Sequence, residues 1–598
     1  MTNVRATALV LLAALLGASP IPTASGSAAS AGPDALYAAL ARAYFDESFR
    51  ANPVNATATG IHAYDAQLGS YGQADYAAEV ARAHHYLDRI AAIDPMSLSP
   101  RAALDRAMLE NALNDDLLLN ERMQLWRHQP DGYVQIAGNG VFVLISRKFA
   151  PAAVRLREAI AREEQIPRLF AQARANLTAV DKDTASIAAE DAAGSVQLFA
   201  KTVPLAFAGV GDAATRARFR RSTATAVAAS QGFAAYLKTR WIAHPAGTFA
   251  IGAANYAARL KYEEGIAIPL DRYLAIGEKA LAQTHAEMVA TAKRIDPHAT
   301  TQQVLTRLYK AHPTSATLLA AAQGDLVKLR AFIVAHHIID LPPDADIKLT
   351  ATPEFLRATT VASMDSPGPL ERVATRAYYN VTPVNPRDTP SDQAQYLEEF
   401  NDFERPIISA HEVYPGHFVN YTIDKHLALT LTEKLLGASS FVEGWAHYGE
   451  QMMVDEGWGN GDPRVRLMQL REAIWRNAPL RRRGEDAYPG DDGRAGGAVL
   501  PHAGVPRSGQ RAQRGEARHA RRDLRLLHAR EDGDPEAARG LQEEAGQRVH
   551  AGPLPPRPAA VRRSRAAAAA PAPARRRRRR QDPVACSAPK GRTRSSGR

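Results

Sequence analysis

Residues 411 to 417 read H-E-V-Y-P-G-H, and residues 441 to 450 read F-V-E-G-W-A-H-Y-G-E. Clustered histidine and glutamate have a joint chemistry. A neutral imidazole binds a divalent metal, and a nearby carboxylate takes a proton from water. His411 followed directly by Glu412 suits this on a helix. Adjacent side chains diverge by about 100°, so one can hold metal while the other faces water. The second histidine is harder to place. On an unbroken helix, His411 and His417 would point roughly 240° apart and could not share one ion. Pro415-Gly416 lies between them. Proline removes a backbone hydrogen bond and kinks a helix, and glycine tolerates the torsions that follow. The expectation is a local break that brings His417 back beside His411. Glu443, 26 residues beyond His417, offers a carboxylate ligand from a neighbouring antiparallel helix, or is an ordinary surface glutamate. His447 and Glu450 fall near its face, at i+4 and i+7. His447 reads either as a ligand or as a core histidine supporting one. Glu450 reads either as the group that orients a ligand histidine or as half of an ion pair.

The elements that must position these residues are mostly helices. From Pro33 to about Asp340 the apolar residues recur at helical spacing. Leu36, Leu40 and Tyr44 follow the helix start Pro33-Asp34. Val154, Leu156, Ile160, Ile166, Leu169 and Phe170 form a second stripe, and Tyr273, Leu274, Leu281 and Met288 a third. The pattern changes at Asp365-Ser-Pro-Gly-Pro369, a turn. Arg372 to Val381 is rich in β-branched and aromatic residues, which predicts either an edge strand able to bind extended peptide or a structural hairpin. A proline-rich loop over 381–390 follows. Ser391 is the expected N-cap of one helix, and a second helix starts just beyond Pro406 and carries Ile407, Ile408 and the metal motif.

Charge excludes an obvious alternative. The chain of 598 residues has a formal net charge of +11, which at face value points to nucleic acid or anionic lipid. From Arg481 onward, however, 27 Arg and one Lys face 13 acidic residues, a net of +15, leaving −4 for the rest. The body is mildly acidic, so no nucleic-acid partner is expected. The single cysteine, Cys586, lies in the basic tail, which removes disulfides, Cys-ligated zinc and thiol catalysis from the body. Arg5, the apolar run Ala6 to Leu16 and the small residues up to Ala31 read as a secretory signal. The expected location is secreted or periplasmic, with no membrane association after signal removal. Phosphate-loop, nucleophile-elbow and dinucleotide fingerprints are absent.

With both motifs in view, the chain resembles the bacterial family catalogued as domain of unknown function 885. Gly60-Ile-His-Ala-Tyr-Asp65, Asp365-Ser-Pro-Gly-Pro369 and Tyr378-Tyr-Asn-Val-Thr-Pro383 are similar too, and the resemblance covers roughly residues 33 to 478. Members look like distant relatives of helical zinc peptidases of the Taq carboxypeptidase and neurolysin kind. The resemblance implies a mostly α metallopeptidase-like domain with a small β hairpin or edge strand near the active site. It implies Zn²⁺ on His411, His417 and Glu443, Glu412 as general base, and a peptide substrate. His447, Tyr448, Glu450 and Tyr379 are the expected supporting or substrate-facing residues. Tyr448 is the motif's candidate oxyanion donor, with packing as its other reading. The rival function is a non-catalytic helical scaffold.

The tail reads differently. Beyond Arg481 there is no Phe, Ile, Met, Trp or Asn, one Tyr, and six consecutive arginines from Arg575 to Arg580. Such composition buries no core and is expected to be disordered. It also matches out-of-frame translation of GC-rich DNA. Pro479 to Pro489 can be back-translated so that dropping one base yields R-F-V-V-E-V-K-M-H-T. The same shift over Asp523 to Arg539 yields T-Y-V-Y-Y-T-R-G-K-M-E-I-L-K-L-R. The expected organisation is therefore a signal at 1–31, a helical domain at 32–478 lacking its C-terminal part, and a frame-shifted tail at 479–598. Loss of that part is expected to impair activity.

Overall fold

The computed structural model describes residues 32–343, 346–353, 356–357 and 360–487. The expected signal at 1–31 and most of the expected tail, 488–598, lie outside the described residues. The described chain is helical apart from a small sheet, as its periodicity predicts. None of its helices is long and apolar enough to cross a membrane.

The first helix, Pro33–Ala51, begins where the sequence places it, with Pro33 at its first position and no N–H to leave unsatisfied. Leu40 and Tyr44 are buried, but Leu36 is 56% exposed. The core-facing stripe is instead Tyr37, Ala41, Tyr44 and Phe45, because aromatic rings fill the gap between this helix and Gln73–Ala91. The second stripe is split over Ala152–Glu163 and Ile166–Asn176, and buries Leu156, Ile160, Ile166, Leu169 and Phe170. These helices pack with Asp131–Ser146, Lys182–Gln197 and Ala213–Tyr236 around one core. The third stripe lies on the long helix Leu270–Ile295, which runs along Pro463–Ala487 and buries Met288 against Leu467 and Met468. The backbone of Pro463–Ala487 continues helically past 479.

The sheet holds β1 (Ile347–Ala351), β2 (Ala362–Asp365) and β3 (Ala377–Val381) in the order β1-β3-β2. β3 pairs parallel with β1, from Ile347 opposite Ala377, and antiparallel with β2, from Ala362 opposite Val381. The strand foreseen over Arg372 to Val381 forms only over Ala377–Val381, and it is central. Both its ladders are taken, so it offers no edge to a peptide. Its buried residues Ala377, Tyr379 and Val381 alternate toward the core shared with Leu318–Ala335 and the motif helices.

Pro390–Glu398 is capped by Thr389, whose hydroxyl accepts from the Asp392 N–H at 3.2 Å, two residues before the expected Ser391. Pro390 sits at the first helical position, where a missing N–H costs nothing. The helix Arg405–Glu412 follows. Arg405 forms a buried ion pair with Asp325 of Leu318–Ala335 at 2.6 Å, which fixes the motif helix at its start.

Candidate metal centre

His411 lies in the last turn of Arg405–Glu412, and His417 opens the next helix, His417–His426. The helix stops between them. Val413 leaves helical torsions at φ −123°, ψ −71°, and the Gly416 N–H turns back to the Ala410 carbonyl at 2.9 Å. Gly416 is indispensable to this turn. A Cβ there would lie 1.7 Å from the His411 carbonyl oxygen and 2.6 Å from that of Ala410. The turn also rests on the helix Ser439–Asp455: the Trp445 indole donates to the Pro415 carbonyl at 3.0 Å, and Gly449 faces the Pro415 ring. The break thereby folds six residues of separation into two adjacent imidazoles. Their ring centroids are 4.8 Å apart and nearly perpendicular, at 86°.

Glu443, on Ser439–Asp455, supplies the third donor. Its Oε2 lies 3.5 Å from His411 Nε2 and 3.9 Å from His417 Nε2. One ligand atom from each of the three residues falls within 4.8 Å of the others. Tetrahedral ligands at about 2.0–2.1 Å from zinc are about 3.4 Å apart, so the set fits one such ion after small side-chain adjustments. Glu443 has room for them, with its side chain 45% exposed. Two imidazoles and one carboxylate form a donor set suited to zinc with an open position.

Behind these three residues lies a buried polar network. Glu450 is fully buried and accepts from His411 Nδ1 at 2.7 Å and from His447 Nδ1 at 3.3 Å. Arg476, from Pro463–Ala487, reaches the same carboxylate at 2.9 Å. Burial opposes charge on Glu450, but Arg476, His411 and His447 together hold its pKa down at about 2. With an ionised carboxylate accepting from Nδ1, His411 would turn Nε2 toward Glu443 and His417. Burial and the Arg476 charge push the His411 pKa down, yet its bonds to Glu443 and Glu450 outweigh them and raise it to about 9. Metal and proton would therefore compete for Nε2.

Glu412 is buried, one residue beyond His411. Its charge is felt at two tyrosines. Tyr379 is fully buried in β3 and shares a hydrogen bond with Ser409 at 3.2 Å, and burial drives its pKa upward. It thus packs behind the motif helix. Tyr421, one turn beyond His417, stacks on that ring at 6.1 Å, and burial with the charges of Glu443 and Glu412 pushes it up to about 12. Tyr448 is 56% exposed on a different face of its helix from Glu443 and touches the Trp445 ring. His447 bonds to Glu450 behind the cluster, apart from the three-residue donor group. Two members of the site escaped sequence reasoning. Tyr421 carries a detectable signal, its i+4 spacing from His417. Arg476 carries none.

A helical protein with a buried histidine pair and a facing glutamate is thus the class that fold and site define. Residues 53–480 match the family described as bacterial protein of unknown function (DUF885), and the chain belongs to that family. Two solved structures share the fold. One is a Shewanella oneidensis protein described as a lipoprotein candidate of unknown function. It is 24% identical with a TM-score of 0.59, and the match covers 75% of this chain and 82% of that one. The other is a lipoprotein candidate from Colwellia psychrerythraea, 14% identical with a TM-score of 0.61, over 76% and 84%. No curated protein matches.

Proposed function

We propose that this chain is an exported zinc-dependent peptidase. The observation that carries the reading is the convergence of His411, His417 and Glu443 to within 4.8 Å across a broken helix and its neighbour. Bound zinc supplies a Lewis acid and lowers the pKa of a coordinated water. Glu412 takes the proton from the attacking water and delivers it to the leaving amine. Glu450 holds His411 in its binding tautomer. Tyr421 keeps its proton far above neutral pH, so beside His417 it is a neutral O–H donor suited to a developing oxyanion. β2 packs against the motif helix and is an edge of the sheet, which makes it the better placed strand for an extended peptide. Export rests on the N-terminal signal pattern.

The test compares the zinc-loaded chain and a frame-repaired version with their Glu412→Gln variants on unfolded peptide substrates. The expected result is hydrolysis by the repaired parent, less by the present chain, and none by Glu412→Gln, which still retains zinc. Full-rate hydrolysis by Glu412→Gln removes the base assignment. No hydrolysis by any zinc-loaded form favours the non-catalytic scaffold.

A further inference from the structure

We infer that Arg476 is a positioning residue for the metal centre: it pins Glu450 so that this carboxylate accepts a hydrogen bond from the His411 Nδ1–H and turns Nε2 toward Glu443 and His417, where a metal would sit. The inference rests on the zinc reading above and assigns a role to a residue outside both sequence motifs.

Glu450 receives three groups. His411 Nδ1 at 2.7 Å and Arg476 Nη2 at 2.9 Å meet its Oε1, and His447 Nδ1 meets its Oε2 at 3.3 Å. Arg476 is itself held from the other side, because its Nη1 reaches Glu472 Oε2 at 2.7 Å, one turn earlier on its own helix. The guanidinium is thus a rigid bridge between two carboxylates. Its Nη2 also lies 3.2 Å from His411 Nδ1. Arginine has no acceptor, so it cannot take the Nδ1 proton. Glu450 Oε1 is the acceptor between them, so both N–H groups donate to it, and this shared acceptor makes their close approach tolerable. The arrangement fixes both the ring's tautomer and its rotation.

The reach of Arg476 is set by its helix. Arg471 of the same helix forms a buried ion pair with Glu404, the N-cap of Arg405–Glu412, and stacks over the Tyr309 ring at 5.4 Å. Pro463–Ala487 therefore grips the motif helix near its start through Arg471 and near its end through Arg476. Lysine cannot replace this bridge in full. A single ammonium is a point charge, whereas two carboxylates on either side call for the fork of a guanidinium. A buried ion pair adds little net stability by itself. Placed on the group bonded to a metal ligand, it should register in metal affinity, where such supporting contacts contribute about 10–100-fold.

The experiment uses the full chain, its Arg476→Gln and Arg476→Lys variants, and Glu472→Gln, which removes the charge at the far end of the guanidinium, keeps the Glu472 carbonyl that also accepts from Nη1 at 3.0 Å, and leaves Glu450 untouched. Zinc affinity is measured by competition with a chromophoric chelator, the ligand field by the visible spectrum of the cobalt-substituted protein, and folding by circular dichroism. The expected result is about 10–100-fold weaker zinc binding and shifted cobalt bands for Arg476→Gln. Arg476→Lys should rescue part of the affinity, and Glu472→Gln should show a smaller loss of the same sign. If Arg476→Gln does not fold, Glu472→Gln and Arg476→Lys carry the test. Parent-like zinc affinity and cobalt spectra in the folded variants overturn the inference, even if their melting temperatures fall. A parent that binds no zinc overturns the metal reading and this inference with it, whereas a zinc-binding parent with unaffected variants overturns this inference alone.

Discussion

Gly416→Ala is the smallest change that should dismantle the site without touching a ligand. The new methyl carbon would lie 1.7 Å from the His411 carbonyl oxygen and 2.4 Å from its carbonyl carbon. A comfortable C···O separation is about 3.3 Å, so the turn must open by about 1.6 Å. Metal-ligand distances tolerate only about ±0.2 Å. Movement of that size at the residue before His417 takes its imidazole out of reach of an ion held by His411 and Glu443. Loss of one ligand in three should exceed the effect of losing a supporting contact, so zinc affinity should fall about 100-fold or more, near 2.8 kcal/mol. The metal-free protein should lose about 1–3 kcal/mol of stability from the forced repacking. Zinc affinity comes from chelator competition and stability from urea unfolding of the metal-free protein. Gly416→Ala that binds zinc as the parent does would refute the claim that this turn builds the site.

Glu450→Gln should weaken zinc binding about 10–100-fold and also destabilise the metal-free fold by about 1.5–3 kcal/mol, because His411 and Arg476 lose a shared charged acceptor while Arg476 keeps Glu472; unchanged melting curves would contradict the network. Tyr379→Phe removes one hydrogen bond to Ser409 and should cost about 0.5–1.5 kcal/mol with zinc affinity intact, so a large affinity loss would move Tyr379 into the site. His62 bonds Asp65 at 2.9 Å and Glu371 at 3.0 Å; burial lowers its pKa, but the two carboxylates raise it overall. A raised folded pKa stabilises below the unfolded value of about 6.5 and loses that contribution as pH rises through the folded value. The melting-temperature gap between parent and His62→Gln should therefore be wide at about pH 5.5 and narrow at about pH 8.5; an equal gap would exclude the protonated bridge. Restoring the reading frame near codon 479 should raise the melting temperature and the soluble yield, and equal behaviour of the two chains would count against the frame shift.

Much of the fold was legible because helical periodicity survives in a chain this rich in alanine and leucine. The face of a helix was less so. Leu36 fits the stripe by spacing, yet aromatic neighbours at Tyr37 and Phe45 decide which side turns inward. Local capping chemistry moved one helix start from Ser391 to Thr389. The rank of a strand within its sheet depends on partners distant in sequence, so nothing local to Arg372 to Val381 reveals that β3 is central. At the site, Pro415-Gly416 announced a break, but its direction depends on Trp445 and Gly449 of another helix. Arg476 was invisible for the same reason. Its role is created by long-range packing, and no spacing rule links position 476 to 411 or 450.

Zinc K-edge absorption of the full chain tests the centre most directly. One retained zinc per chain should show a first shell near 2.0–2.1 Å, with outer-shell scattering from about two imidazoles and a light oxygen donor. Substituting His417 with alanine should remove one imidazole contribution. A chain that retains no zinc, or a spectrum without imidazole scattering, would contradict the assembly of His411, His417 and Glu443 around a single ion.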